Sequence, residues 1–87
     1  MSLHKKLLVL ETVKAMEQIP LIGEGRIKLS DISFWCGMSR QTTYRYLLQL
    51  EKIGLLAKRA EPYKNATIHY WYTTMQGKEV MAIKEMF

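Results

Sequence analysis

The first apolar pattern of the chain has helical spacing and predicts a helix over residues 2–19, with Ser2 as its N-cap and Pro20 at its end. Apolar residues also occupy a second side of this helix. A neighbouring turn of the same domain or a dimer seam would explain that second side equally well. The main stripe comprises Leu3, Leu7, Leu10, Val13 and Met16, and the second side comprises Leu8, Ala15 and Ile19.

A short connector, Leu21–Gly25, follows and contains two glycines. Polar and apolar residues then alternate over 26–29, which predicts a brief strand. We expect Ser30 to cap a short helix over 31–36, whose first turn is stabilised by the negative charge of Asp31.

The next segment has the layout of a helix-turn-helix. Gly37 provides the left-handed backbone conformation that ends a helix, and Ser39 is a natural N-cap for the next one. This third helix is predicted over 40–53 and is closed by Gly54. Two short helices joined in this way commonly place the second helix in a DNA groove.

A hairpin and a last helix complete the pattern. Strands are predicted over 55–60 and 67–73, joined by a loop over 61–66 that contains Pro and Asn. Thr74 is the predicted cap of a helix that runs to Phe87 despite the weak helix former Gly77. Its predicted apolar face comprises Met75, Val80, Ile83, Met86 and Phe87.

Length and charge restrict the function further. The 87 residues suit one small domain over 1–87, and the formal charge is +5. All of this net charge falls between positions 26 and 64, where eight basic residues face three acidic ones. Such a distribution favours a nucleic-acid partner, although a solvated surface would carry it too.

The cysteine count and the hydropathy bear on where the protein acts. Cys36 is the single cysteine, which excludes an internal disulfide and a cysteine-rich zinc site. No apolar run is long enough to cross a membrane, and no signal peptide is recognisable. We therefore expect a cytoplasmic protein.

The segment SRQTTYRYLLQLEKIGLL resembles the recognition helix of winged helix-turn-helix proteins, with Leu50, Gly54, Leu55 and Leu56 at the family's positions. The stretch HYWYTTMQGKEVM is similar to the exit from the wing in MarR-like and PadR-like bacterial and archaeal regulators. The resemblance covers about 27–80 and implies an α+β, mainly α fold. Its order would be helix, short strand, helix-turn-helix, two-stranded wing and C-terminal helix.

The predicted third helix has a core side and an exposed side. A period of 100° per residue places Thr43, Tyr46, Leu47, Leu50 and Ile53 towards the core, and Gln41, Tyr44, Arg45, Leu48 and Lys52 away from it. Arg can pair with guanine and Gln with adenine in the major groove. The predicted base-reading residues are Arg40, Gln41, Tyr44 and Arg45.

Other polar residues are candidates for contact with the DNA backbone. Basic side chains of the wing, taken as 58–67, could follow a sugar-phosphate ridge or enter the minor groove. The N-terminus of the third helix offers amides to a phosphate. The candidates are Lys28, Ser39, Thr42, Lys58, Arg59, Tyr63 and Lys64. Phosphate contact alone is also a possible role for Arg40 or Arg45.

Aromatic residues are interpreted mainly as structural. Either Phe34 or Trp35 is expected to cover the core of the helix-turn-helix, although aromatic side chains can also stack on single strands. An exposed Trp71 beside Met81 would instead form a protein-binding patch.

The expected function is that of a sequence-specific regulator of transcription that binds double-stranded DNA and represses by occupancy. A homodimer through the N-terminal helix, the C-terminal helix or both would read half-sites about 34 to 36 Å apart. The alternative is a protein-interaction or accessory module in a replication, partition or virus-encoded complex. His4 and His69 are far apart and no paired acids occur, so we expect no enzyme, metal, cofactor or small-molecule effector.

Overall fold

The computed structural model describes residues 3–20 and 25–86, apart from the side chain at position 85. Within this part of the chain, four helices accompany one antiparallel sheet of two strands. The elements are α1 (Leu3–Glu17), α2 (Leu29–Cys36), α3 (Arg40–Lys52), β1 (Leu56–Tyr63), β2 (Ala66–Thr73) and α4 (Met75–Met86). Apart from the first short strand, this is the predicted order of a winged helix-turn-helix.

Helix α1 buries one side and leaves another uncovered. Leu10, Val13 and Met16 of the predicted main stripe lie fully in the core, whereas Leu7 is half-buried and Leu3 is exposed. Val9, which was not part of that stripe, is also fully buried. The second apolar side is not covered by the described residues, because Leu8 and Ala15 are exposed and Ile19 is half-buried. The predicted cap, Ser2, lies outside the described residues.

The strand predicted over 26–29 is wrong. Residues 26–28 have no regular structure, and Leu29 already begins α2. Ile27 is nevertheless fully buried, and its carbonyl accepts a hydrogen bond from the Trp71 N–H at 2.8 Å. The alternation of polar and apolar residues therefore arises because Ile27 is buried beside the sheet. The segment does not form the repeated backbone hydrogen bonds of a paired strand. Of the predicted connector 21–25, positions 21–24 lie outside the described residues.

The start of α2 differs from the prediction by two residues. Lys28 holds the N-cap position with extended backbone and makes no side-chain cap hydrogen bond. Ser30, the predicted cap, lies inside the helix, where its carbonyl accepts a hydrogen bond from the Ser33 hydroxyl at 3.0 Å. The expected position of Asp31 in the first turn is confirmed.

The turn between α2 and α3 is confirmed in detail. Gly37 has φ 68°, and its N–H donates to the Phe34 carbonyl at 3.3 Å. The Ser39 hydroxyl accepts from the Thr42 N–H at 3.1 Å and so caps α3. At the other end, Gly54 with φ 83° closes the helix. The Ser39 cap therefore defines the start of α3, and the left-handed conformation of Gly54 defines its end.

The wing is a longer and more regular hairpin than predicted. Most of the predicted loop 61–66 is strand, since β1 reaches Tyr63 and β2 starts at Ala66. Pro62 pairs with Thr67, and a proline is tolerated there because β1 is an edge strand. The tip consists of residues 64 and 65.

The core joins the helices to the base of the wing. Of the predicted core side of α3, Thr43, Tyr46, Leu47 and Leu50 are buried, but Ile53 is 60% exposed because it follows the last helical residue. The apolar core comprises Val9, Leu10, Val13, Met16, Ile27, Ile32, Tyr46, Leu47, Leu50, Leu56, Trp71 and Met81.

The structure contradicts the expectation for the two aromatic residues of α2 and supports the structural interpretation of Trp71. Phe34 is 87% exposed and Trp35 52% exposed, so neither covers the helix-turn-helix core. Helix α2 directs Ile32 inward, which turns the two aromatic residues outward. Trp71 is 2% exposed and Met81 is also buried, so the suggested patch of these two residues does not exist.

Helix α4 starts against the base of the wing. The Thr74 hydroxyl accepts from the Gly77 N–H at 3.1 Å, which confirms the cap, and it donates to the Gly54 carbonyl at 2.6 Å. A Cβ at Gly77 would lie 2.1 Å from the Leu55 carbonyl oxygen, so glycine permits this close approach. Phe87 lies outside the described residues.

The apolar face predicted for α4 is only partly buried in the described part of the chain. Val80 is half-buried against the core, whereas Met75, Ile83 and Met86 are exposed. None of the helices in the described part of the chain has the length and apolar content needed to cross a bilayer.

Candidate nucleic-acid interface

An open cleft lies between α3 and the wing. Its volume is about 300 Å³, and its walls come from the start of α2, the start of α3 and both strands. It is here called the α3–wing cleft. Its lining residues are Lys28, Leu29, Ser30, Arg40, Tyr44, Lys58, Thr67, Ile68, His69 and Trp71.

Three cations from separate elements meet in the α3–wing cleft. Lys28 immediately precedes α2, Arg40 is the first residue of α3, and Lys58 projects from β1. Together with Tyr44 they are four of the predicted site residues. Cations that converge in a concave site concentrate positive potential there, which attracts an anionic polymer such as DNA.

The exposed side of α3 divides into two stripes. Gln41, Arg45, Leu48 and Lys52 are exposed and face away from the core, which confirms this part of the predicted polar side. Arg40 and Tyr44 lie on the flank that faces the wing. Of the four predicted base-reading residues, two therefore lie outside the lining of the α3–wing cleft and two line it.

The start of α3 uses its polar side chains locally. The Ser39 hydroxyl accepts from the Thr42 N–H and donates to the Thr42 hydroxyl at 3.0 Å. The Ser39 side chain thus caps α3, and the Thr42 hydroxyl is hydrogen-bonded to it. The cap fixes the direction in which the first turn presents Arg40 and Gln41.

Lys58 has two contacts within the chain. Its ammonium lies 3.6 Å from the Glu51 carboxylate and 5.5 Å from the centre of the Trp71 ring. Glu51 is two turns beyond Tyr44 on α3. Glu51 and the Trp71 ring thereby keep the Lys58 side chain between α3 and the wing.

Arg59 lies on the opposite face of the hairpin. Its guanidinium donates to the Gly25 carbonyl at 2.9 Å, lies 3.4 Å from Glu61 and is 5.6 Å from the centre of the Tyr70 ring. Because successive side chains of a strand point to opposite faces of the sheet, Arg59 and Lys58 lie on different faces. The structure therefore does not bring Arg59 into the α3–wing cleft, and its contacts fasten the wing to the segment before α2.

The remaining predicted residues of the wing are at its tip. Tyr63 ends β1, and the Lys64 ammonium lies 5.4 Å from the centre of its ring. Lys64 has φ 55°, an uncommon conformation for a residue with a side chain. Both side chains are exposed, so they extend the cationic surface away from the cleft.

Sequence reasoning missed the contribution of β2 to the cleft. Thr67, His69 and Trp71 pair with Pro62, Ala60 and Lys58, so these side chains share one face of the wing. The alternation over 67–73 contained this signal. His69 was not among the predicted contact residues, and its position in the cleft follows from the packing of α3 against the wing.

Cys36 lies outside this region, at the end of α2. Its thiol contacts the Thr12 hydroxyl at 3.3 Å. Burial raises the pKa of the Cys36 thiol, and the nearby Thr12 hydroxyl offsets this in part. Among the described residues, no group of three or more His, Cys, Asp or Glu side chains could hold a metal ion.

Comparisons with known proteins find structures similar to this chain. No family model and no curated protein matches the sequence. A MepR mutant from a multidrug-resistant S. aureus clinical isolate matches with a TM-score of 0.74 and 16% identity, covering 91% of this chain and 51% of that one. A second S. aureus MepR mutant, bound to an oligodeoxyribonucleotide, matches with a TM-score of 0.72 and 17% identity, covering 94% of this chain and 58% of that one.

These likenesses concern the fold. The chain spans between one half and three fifths of the length of the two MepR structures. At this level of identity, shared architecture does not carry function with it. The chain has the winged helix-turn-helix fold.

Proposed function

We propose that the protein is a sequence-specific regulator of transcription that binds double-stranded DNA, with α3 in the major groove and the wing against the backbone or the minor groove. The observation that carries this proposal is the meeting of Lys28, Arg40 and Lys58 in the α3–wing cleft. A MepR structure of the same fold is bound to an oligodeoxyribonucleotide, which supports the same partner here.

The positions of the residues suggest different roles for them in binding DNA. Gln41 and Arg45, on the outward stripe, would read base edges, and Arg40 and Tyr44 would contact the DNA where it passes the wing. Lys28, Lys58 and Lys64, with Tyr63, would contact phosphates, as would the first turn of α3 at Ser39 and Thr42. Arg59 would act indirectly, by holding the wing in position.

Repression by occupancy is the expected outcome in the cell, since binding to an operator is sufficient to block transcription. We further propose that the protein acts in the cytoplasm as a homodimer. Exposed apolar side chains at the two ends of the described chain support an interface there: Leu3 on α1, and Ile83 and Met86 on α4. Their burial would favour association.

The interaction-module alternative has lost one of its two motivating features. It depended on an exposed Trp71 beside Met81, and both residues are buried. Its other feature, the second apolar side of α1, remains exposed at Leu8 and Ala15.

Selection of bound duplexes from a random pool tests the main proposal, followed by fluorescence anisotropy on the selected sequence at several salt concentrations. Arg45→Ala should relax the sequence preference, and Lys64→Ala should weaken all duplexes alike and reduce the salt slope by about one unit. Lys78→Ala, an exposed cation on α4, is the matched control and should change little. An unchanged affinity after combined replacement of Arg40, Arg45 and Lys64 by Ala would refute the proposal.

A further inference from the structure

His69 is an exposed side chain to which the proposed function assigns no role. It lies on β2 and lines the α3–wing cleft. Its partner across the hairpin is Ala60, which is also exposed and whose methyl group is too short to cover an imidazole ring. His69 is therefore accessible to a ligand that enters the cleft.

The groups that face His69 across the cleft are cationic or neutral. The two residues that α2 itself contributes, Leu29 and Ser30, carry no charge. None of the described residues that line the cleft is acidic. The titratable or charged groups in the lining are Lys28 before α2, Arg40 and Tyr44 on α3, and Lys58 on β1.

Glu51 is the acid that contacts this region, and it does so through Lys58. Its carboxylate lies 3.6 Å from the Lys58 ammonium, and Glu51 is not part of the lining. A protonated His69 thus has no carboxylate partner among the described residues that line the cleft. A group of opposite charge beside it has to come from a ligand.

Under the proposed function, that ligand is the DNA backbone. Lys58 and His69 are diagonal neighbours on one face of the wing, at a spacing of roughly 7 to 8 Å that long side chains can span. One phosphate can therefore contact both. A phosphate beside an imidazole favours its protonated form, which has two N–H donors. Histidine changes charge between about pH 5 and 8, whereas Lys, Arg and Tyr ordinarily do so above about pH 9.

We infer, on the basis of the proposed function, that His69 is a further phosphate-contacting residue of the α3–wing cleft and that it binds DNA in its protonated form. Duplex binding then takes up a proton from solvent, which adds to the neutral imidazole. The affinity for DNA consequently rises as the pH falls. It rises for all sequences alike, because a phosphate contact carries no sequence information.

Fluorescence anisotropy on the selected duplex, at about pH 6 and about pH 8 and at several salt concentrations, tests this inference. The unchanged protein should bind about fivefold or more tightly at the lower pH, because protonation and binding are linked. Its salt slope should be steeper there by about one unit, which corresponds to one additional phosphate contact. A random duplex should show the same pH effect as the selected one.

Three variants assign the proton to its residue. His69→Gln should lose both effects, with affinities at the two pH values that differ by less than about twofold. His69→Arg should have the steeper salt slope at both pH values, because a guanidinium keeps its charge. His4→Gln is the matched control: His4 is the other histidine of the chain, is exposed on α1, and should be replaceable without loss of either effect. Circular dichroism at both pH values will verify that each variant is folded.

Failure of this inference is distinguishable from failure of the proposed function. Duplex binding of equal affinity at both pH values would overturn the inference and leave the proposed function standing, whereas absence of duplex binding at both would overturn the two together. A pH effect that persists in His69→Gln, or that His4→Gln removes, would assign the proton to another group and contradict the inference. Loss of the pH effect in His69→Gln without a change in salt slope would exclude the phosphate contact.

Discussion

The two helices of the helix-turn-helix differ in what they bury. Helix α3 has 13 residues, and all of its buried residues are ones that its periodicity predicts, although the predicted core residue Ile53 lies beyond the helix and is exposed. Helix α2 has 8 residues and buries Ile32 and Ser33 while its two aromatic residues face solvent. Over two turns, periodicity specifies a face poorly, and the size of a side chain is a misleading guide to its burial.

The largest expected effect follows from this contrast within α2. Ile32→Ala should lower the free energy of unfolding by about 2 to 5 kcal/mol, because Ile32 is fully buried and the substitution leaves a cavity. Phe34→Ala should change it by less than about 0.5 kcal/mol. Urea denaturation of both variants will measure the difference. Similar losses for the two would show that Phe34 contributes to the core.

A second comparison concerns two buried threonines. The Thr73 hydroxyl donates to the Glu17 carboxylate at 2.7 Å, and Thr73→Val should cost about 1.5 to 3 kcal/mol of stability. The Thr43 hydroxyl in α3 is buried and has no hydrogen-bond partner among the described residues. Thr43→Val should therefore be neutral or stabilising by up to about 1 kcal/mol. A marked loss with Thr43→Val in thermal denaturation would reveal a hidden partner.

A third test compares the starts of the two helices. Ser39→Ala should cost about 1 kcal/mol, because the hydroxyl caps α3. Ser30→Ala should cost less than about 0.5 kcal/mol, since the partner of the Ser33 hydroxyl is the carbonyl at position 30 and survives the change. Chemical denaturation measures both variants. If the two losses were equal, the assigned start of α2 would be in error.

The smallest expected effect depends on pH and concerns the end of α2. Burial raises the pKa of the Cys36 thiol in the folded protein. The stabilisation that comes from keeping the buried thiol neutral is therefore complete below the pKa of the unfolded thiol, about 8.5. It is lost as the pH rises through the pKa of the thiol in the folded protein. Alkylation by iodoacetamide should be slower in the folded protein than in urea at pH 8.5. Equal rates would show that the thiol is not shielded.

Local signals in the sequence predicted several helix ends correctly, although the same kind of signal at Ser30 misplaced the start of α2. The Gly37 turn, the Ser39 cap and the Thr74 cap each depend on residues within three or four positions, and all three were predicted. Hairpin length was underestimated because Pro62 was interpreted as part of a loop. Its edge position, which permits strand, depends on the sheet.

The candidate site was predictable in its residue types and less so in its geometry. Arg40 and Tyr44 were expected on α3, but their convergence with Lys28 and Lys58 depends on how α2, α3 and the wing pack. Lys58 and Arg59 are adjacent and alike in charge, yet alternation along β1 places them on opposite faces. Charge alone could not distinguish a residue of the cleft from one that fastens the wing to Gly25.

The contact at Gly77 has a consequence for tolerance to mutation. Helix-propensity scales rank glycine among the least favourable residues in a helix, and replacement of a helical glycine by alanine is therefore a common stabilising substitution. Here a methyl group would collide with the backbone carbonyl of Leu55, and a carbonyl has no rotamer by which to move aside. A stabilisation campaign guided by helix propensity would therefore choose, at this position, the substitution that separates α4 from the root of the hairpin.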